Sequence, residues 1–332
     1  MDYPHFFGDW APPASPRQEQ QALSRTLSCL GLGLLLFLLS AKGLTLGVTA
    51  LQRAGLLGQA PLTPVRLQLL NALIYSISLL LPLVLVALLL GRPGRELAPM
   101  ALPHPRFLLP ALGLTLGVAA GINLLSSLLL YYLQEAYGVQ PPAFSPQFYE
   151  GPLSLVLTVL SSAVLPAILE ELLFRGLVLQ SLRPWGDGFA VAVSGVLFAL
   201  CHTTVGQWLP ALAIGLCLGC FVVRSGSVVT GMVIHFVYNL LVTLVSMVGH
   251  LAGEEQRLLG TLVMLGGSLV ACLVSYLVLS GRYGSIFLLR DRDPVLPGWQ
   301  RLRTTLTNLP VLLAAAMLLY TTLAPLLGGR LW

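Results

Sequence analysis

The sequence has few charged residues for its length. Asp, Glu, Lys and Arg make up 9% of its 332 residues, whereas a soluble globular domain carries about a quarter. This shortage excludes an ordinary cytosolic enzyme, and a hydrophobic content of 56% excludes a disordered chain. Its 33 glycines and 23 prolines follow no Gly-X-Y period, which excludes collagen. A polytopic membrane protein is the remaining class.

Cysteine is also scarce, and all five cysteines lie in apolar runs, so no disulfide framework is expected. Cys217-x-x-Cys220 has redox-like spacing, but it lies in an apolar helix pattern without a strand, so we assign it no redox role. The first 25 residues mix charges, prolines and aromatics and lack an apolar core. We therefore expect no cleaved signal peptide.

Long apolar runs are abundant, and they are continuous rather than alternating, which excludes a membrane β-barrel. The sequence predicts an all-α fold, a polytopic transmembrane helical bundle of about eight to nine membrane helices. The predicted helices cover residues 27–51, 67–90, 107–133, 152–182, 189–204, 208–223, 227–248, 258–280 and 309–327.

The loops between these helices predict the domain organisation. We expect a cytoplasmic N-terminal tail at 1–26, N-terminal transmembrane helices at 27–133, a catalytic core of four helices at 152–248, and C-terminal transmembrane helices at 258–332. Residues 134–151 form a polar, proline-rich connection, and residues 283–303 are predicted to be an interfacial loop.

Arginines predict the orientation of the bundle. If the helices alternate, one side collects Arg17, Arg25, Arg92, Arg95, Arg106, Arg183, Arg224, Arg282, Arg290, Arg292, Arg301 and Arg303, and the other side collects Arg53, Arg66, Arg257 and Arg330. Because positive loops stay in the cytoplasm, the N-terminus is expected inside and the C-terminus outside.

Ionisable residues inside the membrane are costly, so each one suggests a function. Besides Lys42, they fall between residues 152 and 248, beginning with Glu170-Glu171-x-x-x-Arg175. Glu171 and Arg175 are i,i+4 neighbours on a helix and can form a salt bridge. That bridge leaves Glu170 unexplained, because Glu170 points about 100° away. Pro166, one turn earlier, is expected to kink the helix.

Two further helices carry His202 and the pair His235-x-x-x-Asn239. Taken alone, each could be a polar residue whose hydrogen bonds are made within the protein, or a residue that links two helices by a hydrogen bond. Measured from the cytoplasmic ends, however, Glu170, His202, His235 and Asn239 lie about 18, 21, 12 and 18 Å deep at 1.5 Å per residue. This shared depth predicts one hydrolytic site, with a pocket opening toward the cytoplasmic half of the membrane.

The three motifs, in this order on separate helices, resemble the CPBP family. That family groups type II CAAX prenyl endopeptidases with bacteriocin-processing and abortive-infection-type membrane proteins. The flanks LEELLFRG and GLCLGCFVVRSGSVVTGMVIHFVYNLL fit as well, and the resemblance covers residues 152–248. It implies an intramembrane protease, a hydrolase whose catalytic residues are Glu170, Glu171, Arg175, His202, His235 and Asn239.

Two mechanisms remain open for such a protease. In the first, Glu170 is the general base, oriented with His202, while His235 and Asn239 donate to the oxyanion. In the second, which fits the name metalloprotease often given to the family, Glu170, His202 and His235 hold Zn²⁺. The sequence has no His-Glu-x-x-His motif, and Asn239 is a poor zinc ligand, so the metal-free version is favoured.

Two other classes remain as alternatives. One is a non-catalytic membrane scaffold or immunity protein of the same family, although every motif position is filled. The other is a proton-coupled transporter, for which no inverted repeat is visible. The expected partners are membrane lipids and a membrane-associated peptide or protein substrate that could be prenylated, and no nucleic acid. The expected location is a bacterial inner membrane.

Overall fold

The computed structural model describes residues 15–57, 62–137, 151–284, 289 and 295–324. These residues form helices and connecting turns, without any strand, which confirms the all-α prediction. The helices are α1 (Pro16–Arg53), α2 (Pro64–Leu90), α3 (Pro105–Tyr137), α4 (Pro152–Trp185), α5 (Asp187–Leu200), α6 (Val205–Ser225), α7 (Val228–Ala252), α8 (Glu254–Tyr283), α9 (Gly298–Leu306) and α10 (Leu309–Leu323), with a single helical turn at Gly94–Leu97.

Seven of the described helices are long and apolar enough to cross a membrane, namely α1 to α4 and α6 to α8. An eighth span results if α9 and α10, which are bent by 64°, count as one. The predicted number of eight to nine is therefore roughly right. The predicted helix 189–204, expected to be short, is α5, which ends at Leu200, and its 14 residues rise only about 21 Å.

The bundle begins earlier than the sequence suggested. Helix α1 starts at Pro16, where Ser15 caps it by accepting a hydrogen bond from the Gln18 amide at 3.4 Å. Leu23 is fully buried, and the Glu19 carboxylate accepts the Leu296 amide at 3.1 Å. Residues 16–26, expected to be a tail, therefore belong to the packed helix.

The predicted interfacial loop 283–303 is also partly helical, since α9 begins at Gly298. Several predictions lie outside the described residues: the first 14 residues of the predicted tail, most of the connection 134–151, and the end of the last predicted span. All five cysteines are described and are free thiols.

Small residues allow the helices to approach closely. Gly113 and Gly117 of α3 face Ser275 and Cys272 of α8, where a methyl group on either glycine would overlap the opposing side chain. Helices α5 and α6 meet in the same way at Gly195 and Gly215, and a methyl group on Gly215 would lie 3.2 Å from the Gly195 Cα. Without a hydrophobic driving force between helices in lipid, such close backbone packing supplies the van der Waals contact that holds them together.

Helix α4 is interrupted twice by wider π-helical turns, at Leu160–Val164 and Leu172–Val178. The α-helical segment between them, Leu165–Glu171, carries Pro166 and both glutamates. Proline removes a backbone donor and crowds the preceding turn, and a wider turn relieves that crowding. The expected irregularity at Pro166 is therefore present as a π turn, a feature frequent at functional sites.

Long-range contacts bring the arginine-bearing helix ends together. Arg224 at the end of α6 donates to the Tyr283 carbonyl at 3.5 Å, and the Val228 amide at the start of α7 donates to the Pro99 carbonyl at 2.8 Å. Arg301 of α9 donates to the carbonyl of Trp185 at the end of α4. We call this the arginine-rich end, and the opposite end, with Arg53, Arg66 and Arg257, the arginine-poor end.

Candidate active site

A cavity of about 1150 Å³ lies among helices α2, α3, α4, α6 and α7. Its lining includes Glu170, His202, His235 and Asn239, together with Tyr75. Four of the six residues singled out in the sequence thus face one space, although they come from separate segments of the chain. Glu171 and Arg175, the other two, are fully buried beside the wall of the cavity.

Glu171 and Arg175 form the ion pair that their spacing predicted. Arg175 Nη1 donates to Glu171 Oε1 at 2.7 Å, and neither side chain is exposed. The guanidinium also donates from Nη2 to the Gly215 carbonyl at 3.2 Å and lies 4.3 Å above the Phe198 ring. Such multiple partners are what an ion pair needs to be tolerated away from water.

His235 joins this pair to the cavity. Its Nδ1 lies 3.0 Å from Glu171 Oε1, and since an ionised carboxylate only accepts, Nδ1 carries the hydrogen. Its Nε2 is then 3.9 Å from Glu170 Oε2. The two adjacent glutamates therefore have different surroundings: Glu171 fixes the imidazole from behind, and Glu170 faces it from the cavity.

His202 lies in the turn between α5 and α6. Its Nδ1 is 2.9 Å from the Phe198 carbonyl and must donate to it, which leaves Nε2 as the ring atom with a lone pair. The His202 carbonyl accepts from Trp208 Nε1 at 3.0 Å and from the Thr322 hydroxyl of α10 at 3.3 Å. Both the ring and the backbone of this turn are thereby held.

The Phe198 ring lies between the two imidazoles. It makes edge contacts with His202 and His235, with ring centroids 4.8 and 5.8 Å apart, and a third with Phe174 at 5.3 Å. Aromatic rings prefer this perpendicular geometry. Phe198, which the sequence motif included, thus positions both histidines.

Glu170 has a partner that the sequence reasoning missed. The Tyr75 hydroxyl of α2 donates to Glu170 Oε1 at 2.7 Å, and the Glu170 side chain is 18% exposed to the cavity. A signal for Tyr75 was present in the sequence, because Gln68, Asn71 and Tyr75 form a polar row at i, i+3 and i+7 in an otherwise apolar helix.

Gly231 of α7 makes room for the buried glutamate. A methyl group at this position would collide with Glu171 Oε2. Because that oxygen is fully buried and no hydrogen-bond partner is found for it among the described residues, the carboxylate depends on close packing here. The absence of a side chain at position 231 therefore sets the approach of α7 to α4.

The direction of the cavity differs from the expectation. Beyond Glu170 and His235, the lining continues through Asn239 and Val242 of α7, Ser162 of α4 and Gln134 of α3. All four are farther from the arginine-rich end along their helices. Along the helices, the cavity extends toward the arginine-poor end. The prediction that it opens toward the arginine-rich half, which was expected to be cytoplasmic, is therefore wrong.

The zinc hypothesis requires a particular arrangement of donor atoms. Within the part of the chain that the structure describes, no group of three or more His, Cys, Asp or Glu side chains is placed to hold a metal ion. The candidate ligands Glu170, His202 and His235 share the cavity without forming such a group. The described side chains thus do not fit a preformed zinc site.

A family model matches the part of the chain that carries the candidate residues. Residues 152–241 match the family model described as type II CAAX prenyl endopeptidase Rce1-like. The segment carries an Rce1-like domain. The domain comprises α4, α5, α6 and the first part of α7, so it contains all six candidate residues, and the resemblance to the CPBP family is confirmed at this level. No curated protein and no solved structure matches the chain.

The Rce1-like domain and the apolar helices together identify an integral membrane protein. The family that this model describes, the type II CAAX prenyl endopeptidases, consists of hydrolases. Tyr75, by contrast, lies on α2, outside the matched segment.

Proposed function

We propose that the chain is an intramembrane endopeptidase that cleaves a membrane-associated peptide or protein with a water molecule activated by Glu170. The observation that carries this proposal is the separation of 3.9 Å between Glu170 Oε2 and His235 Nε2 at the cavity surface. A single water placed about 2.8 Å from each atom can contact both.

In the proposed reaction, one proton is transferred first from water to Glu170 and then from Glu170 to the leaving amine. Glu170 accepts a proton from the water, and the resulting hydroxide attacks the peptide carbonyl carbon to give a tetrahedral oxyanion. The carbon–nitrogen bond then breaks, and Glu170 returns the proton to the leaving amine. A general base of this kind contributes about 10²–10⁴ in rate.

His235 and Asn239 are the proposed partners of the oxyanion. They are one helical turn apart on α7 and line the same cavity. The carboxamide of Asn239 can donate directly, and His235 can donate from Nε2 when that atom carries a proton. Glu171 and Arg175 support this machinery from behind the cavity wall, and Phe198, which lines the cavity, packs against both imidazoles.

The substrate class and setting are part of the proposal. A prenylated CAAX-type peptide, which the description of the matching family model suggests, is one candidate substrate, and an unprenylated membrane peptide is another. We place the protein in a bacterial inner membrane with its N-terminus in the cytoplasm. The arginine-rich end, where α1 begins, supports that orientation.

The proposal is tested with matched peptides in liposomes. A farnesylated peptide ending in a CAAX sequence, the same peptide without the farnesyl group, and a single-span apolar peptide are incubated with wild type and with Glu170→Gln. Products are identified by mass spectrometry. Cleavage of at least one peptide by wild type only is expected, and the peptide that is cut names the substrate class. Equal cleavage by both proteins, or cleavage of none, would contradict the proposal.

A further inference from the structure

A second, smaller cavity lies between α2 and α4. It has a volume of about 310 Å³, and besides Ala72 its lining is polar: Gln68, Asn71, Tyr75, Thr158, Ser161 and Ser162. Both helices also present exposed apolar side chains, such as Leu73 and Val156, which are 55% and 63% exposed. Several of these polar groups bond within the protein, among them Gln68 to Thr158 and Tyr75 to Glu170. A space lined by polar groups in this way can hold water.

This cavity adjoins the catalytic one. Tyr75, Ser161 and Ser162 line both. Ser161 and Ser162 lie in the first π turn of α4. Because a π turn is wider than an α turn, neighbouring side chains there project differently from those of a regular helix. The π turn before Pro166 thus places the hydroxyl groups of Ser161 and Ser162 at the junction of the two cavities.

The small cavity extends from the active site toward the arginine-poor end. Gln68 is near the start of α2 and Thr158 near the start of α4, and both starts are at the arginine-poor end. From Gln68 to Tyr75 the helix rises about 10 Å. Gln68 Nε2 donates to the Thr158 hydroxyl at 3.1 Å, and Ser154 donates to Gln68 Oε1 at 3.0 Å, so the two helices are joined at the outer end.

We propose that this small cavity is the water entry of the active site and that Tyr75 is a positioning residue at its inner end. The inference rests on the proposed function, because it needs Glu170 to activate water. The volume greatly exceeds the roughly 30 Å³ that one water takes up in the liquid. Water consumed by hydrolysis is replaced through this route while a substrate occupies the large cavity.

Tyr75 acts through Glu170. By donating to Oε1 at 2.7 Å, it fixes the carboxylate so that Oε2 stays toward His235 and the catalytic water. A residue of the N-terminal helices, outside the Rce1-like domain, thereby completes the site.

The first test is Tyr75→Phe, with Tyr276→Phe, on the exposed side of α8, as the control. Loss of a hydrogen bond to a charged group predicts a fall in kcat of about 10–100-fold with KM changed less than about twofold. A merely structural role of Tyr75 would instead lower the unfolding temperature or the yield of folded protein and would not separate kcat from KM.

The second test measures water directly. In an active variant without the five native cysteines, Ala72→Cys is compared with its neighbour Leu73→Cys, which faces lipid. A charged methanethiosulfonate reacts only with a hydrated thiolate. We expect Ala72→Cys to react at least about tenfold faster than Leu73→Cys, and the label to stop turnover.

Equal labelling rates, or a wild-type kcat in Tyr75→Phe, would overturn the inference. Glu170→Gln is assayed alongside to separate the two proposals. If Glu170→Gln remains active, the proposed function fails. If Glu170→Gln is inactive while Tyr75→Phe behaves as wild type, only the water route fails.

Discussion

His235 Nδ1 lies 3.0 Å from Glu171 Oε1, and the same oxygen accepts from Arg175 Nη1 at 2.7 Å. One buried carboxylate oxygen therefore binds both an imidazole from α7 and a guanidinium from its own helix. The adjacent Glu170 instead shares its oxygens between Tyr75 and the cavity. Adjacent glutamates on one helix thus divide into a structural and a reactive carboxylate, because their side chains point about 100° apart.

Arg175→Ala should destabilise the protein. Removal of one partner of a fully buried ion pair leaves the other charge without compensation, which costs about 3–5 kcal/mol. Glu171 keeps only the His235 contact, so turnover should fall together with the unfolding temperature in detergent. Thermal unfolding monitored by circular dichroism provides the measurement.

A matched control for that substitution is Arg257→Ala. Arg257 pairs with Glu254 on α8, but the two side chains are 55% and 77% exposed. An exposed pair contributes about 0–1 kcal/mol, so this variant should unfold close to wild type. Equal destabilisation by both substitutions would contradict the structural role assigned to Arg175.

Gly231→Ala should impair both packing and turnover. The added methyl group collides with Glu171 Oε2, which forces α7 away from α4 and shifts His235. Overpacking of this kind costs about 1–3 kcal/mol. Gly266→Ala in α8, where a methyl group meets nothing within 4 Å, should keep wild-type activity and stability. Wild-type turnover in Gly231→Ala would show that the close approach is dispensable.

The catalytic cavity should be reached from the arginine-poor side of the membrane. In a cysteine-free variant, single cysteines are placed at Leu102 at the arginine-rich end, at Ala252 at the opposite end, and at Gln134 in the cavity lining. With the arginine-rich end in the cytoplasm, Leu102→Cys should be modified only from the cytoplasmic side by an impermeant reagent.

Gln134→Cys should then be modified from the same side as Ala252→Cys, which is the outer side. A substrate would in that case be cut from the non-cytoplasmic side. Labelling of Gln134→Cys together with Leu102→Cys would contradict the direction of the cavity. Labelling of Leu102→Cys from outside would instead show that the orientation is reversed.

Much of this architecture follows from local sequence patterns. Apolar runs predicted the helical bundle, and i,i+4 spacing predicted the Glu171–Arg175 pair, because both depend on the periodicity of one helix. The shared cavity of Glu170, His202, His235 and Asn239 agrees with their similar calculated depths. Each of these predictions needed only the rise of a helix and the alternation of its neighbours.

Other features depend on tertiary contacts that no local pattern encodes. The 3.0 Å contact between His235 and Glu171 joins residues 64 positions apart, and the Tyr75–Glu170 bond joins residues 95 apart. Helix α5 is apolar through to Leu200, yet it stops there, where the turn carrying His202 is held by Trp208 and Thr322. Hydropathy shows how apolar a segment is. It does not show where contacts with other helices bring that segment to an end.

Metal content separates the two open mechanisms. The metal-free proposal expects wild type to remain active after treatment with a chelator and to purify without stoichiometric zinc. His235→Ala and Asn239→Ala should each lose about 10²–10³ in rate, and the double variant should lose much less than the product of the two losses, since both serve one oxyanion. Stoichiometric zinc that disappears only in His235→Ala would reject the metal-free mechanism.

The turnover of Glu170→Gln, measured beside its unfolding temperature in the same detergent, tests the central claim most directly. The account predicts that the rate falls by about 10²–10⁴ while the protein unfolds at nearly the wild-type temperature, because the amide keeps the shape of the side chain but cannot accept the proton from water. Near-normal turnover of a folded Glu170→Gln variant would contradict the assignment of Glu170 as the base.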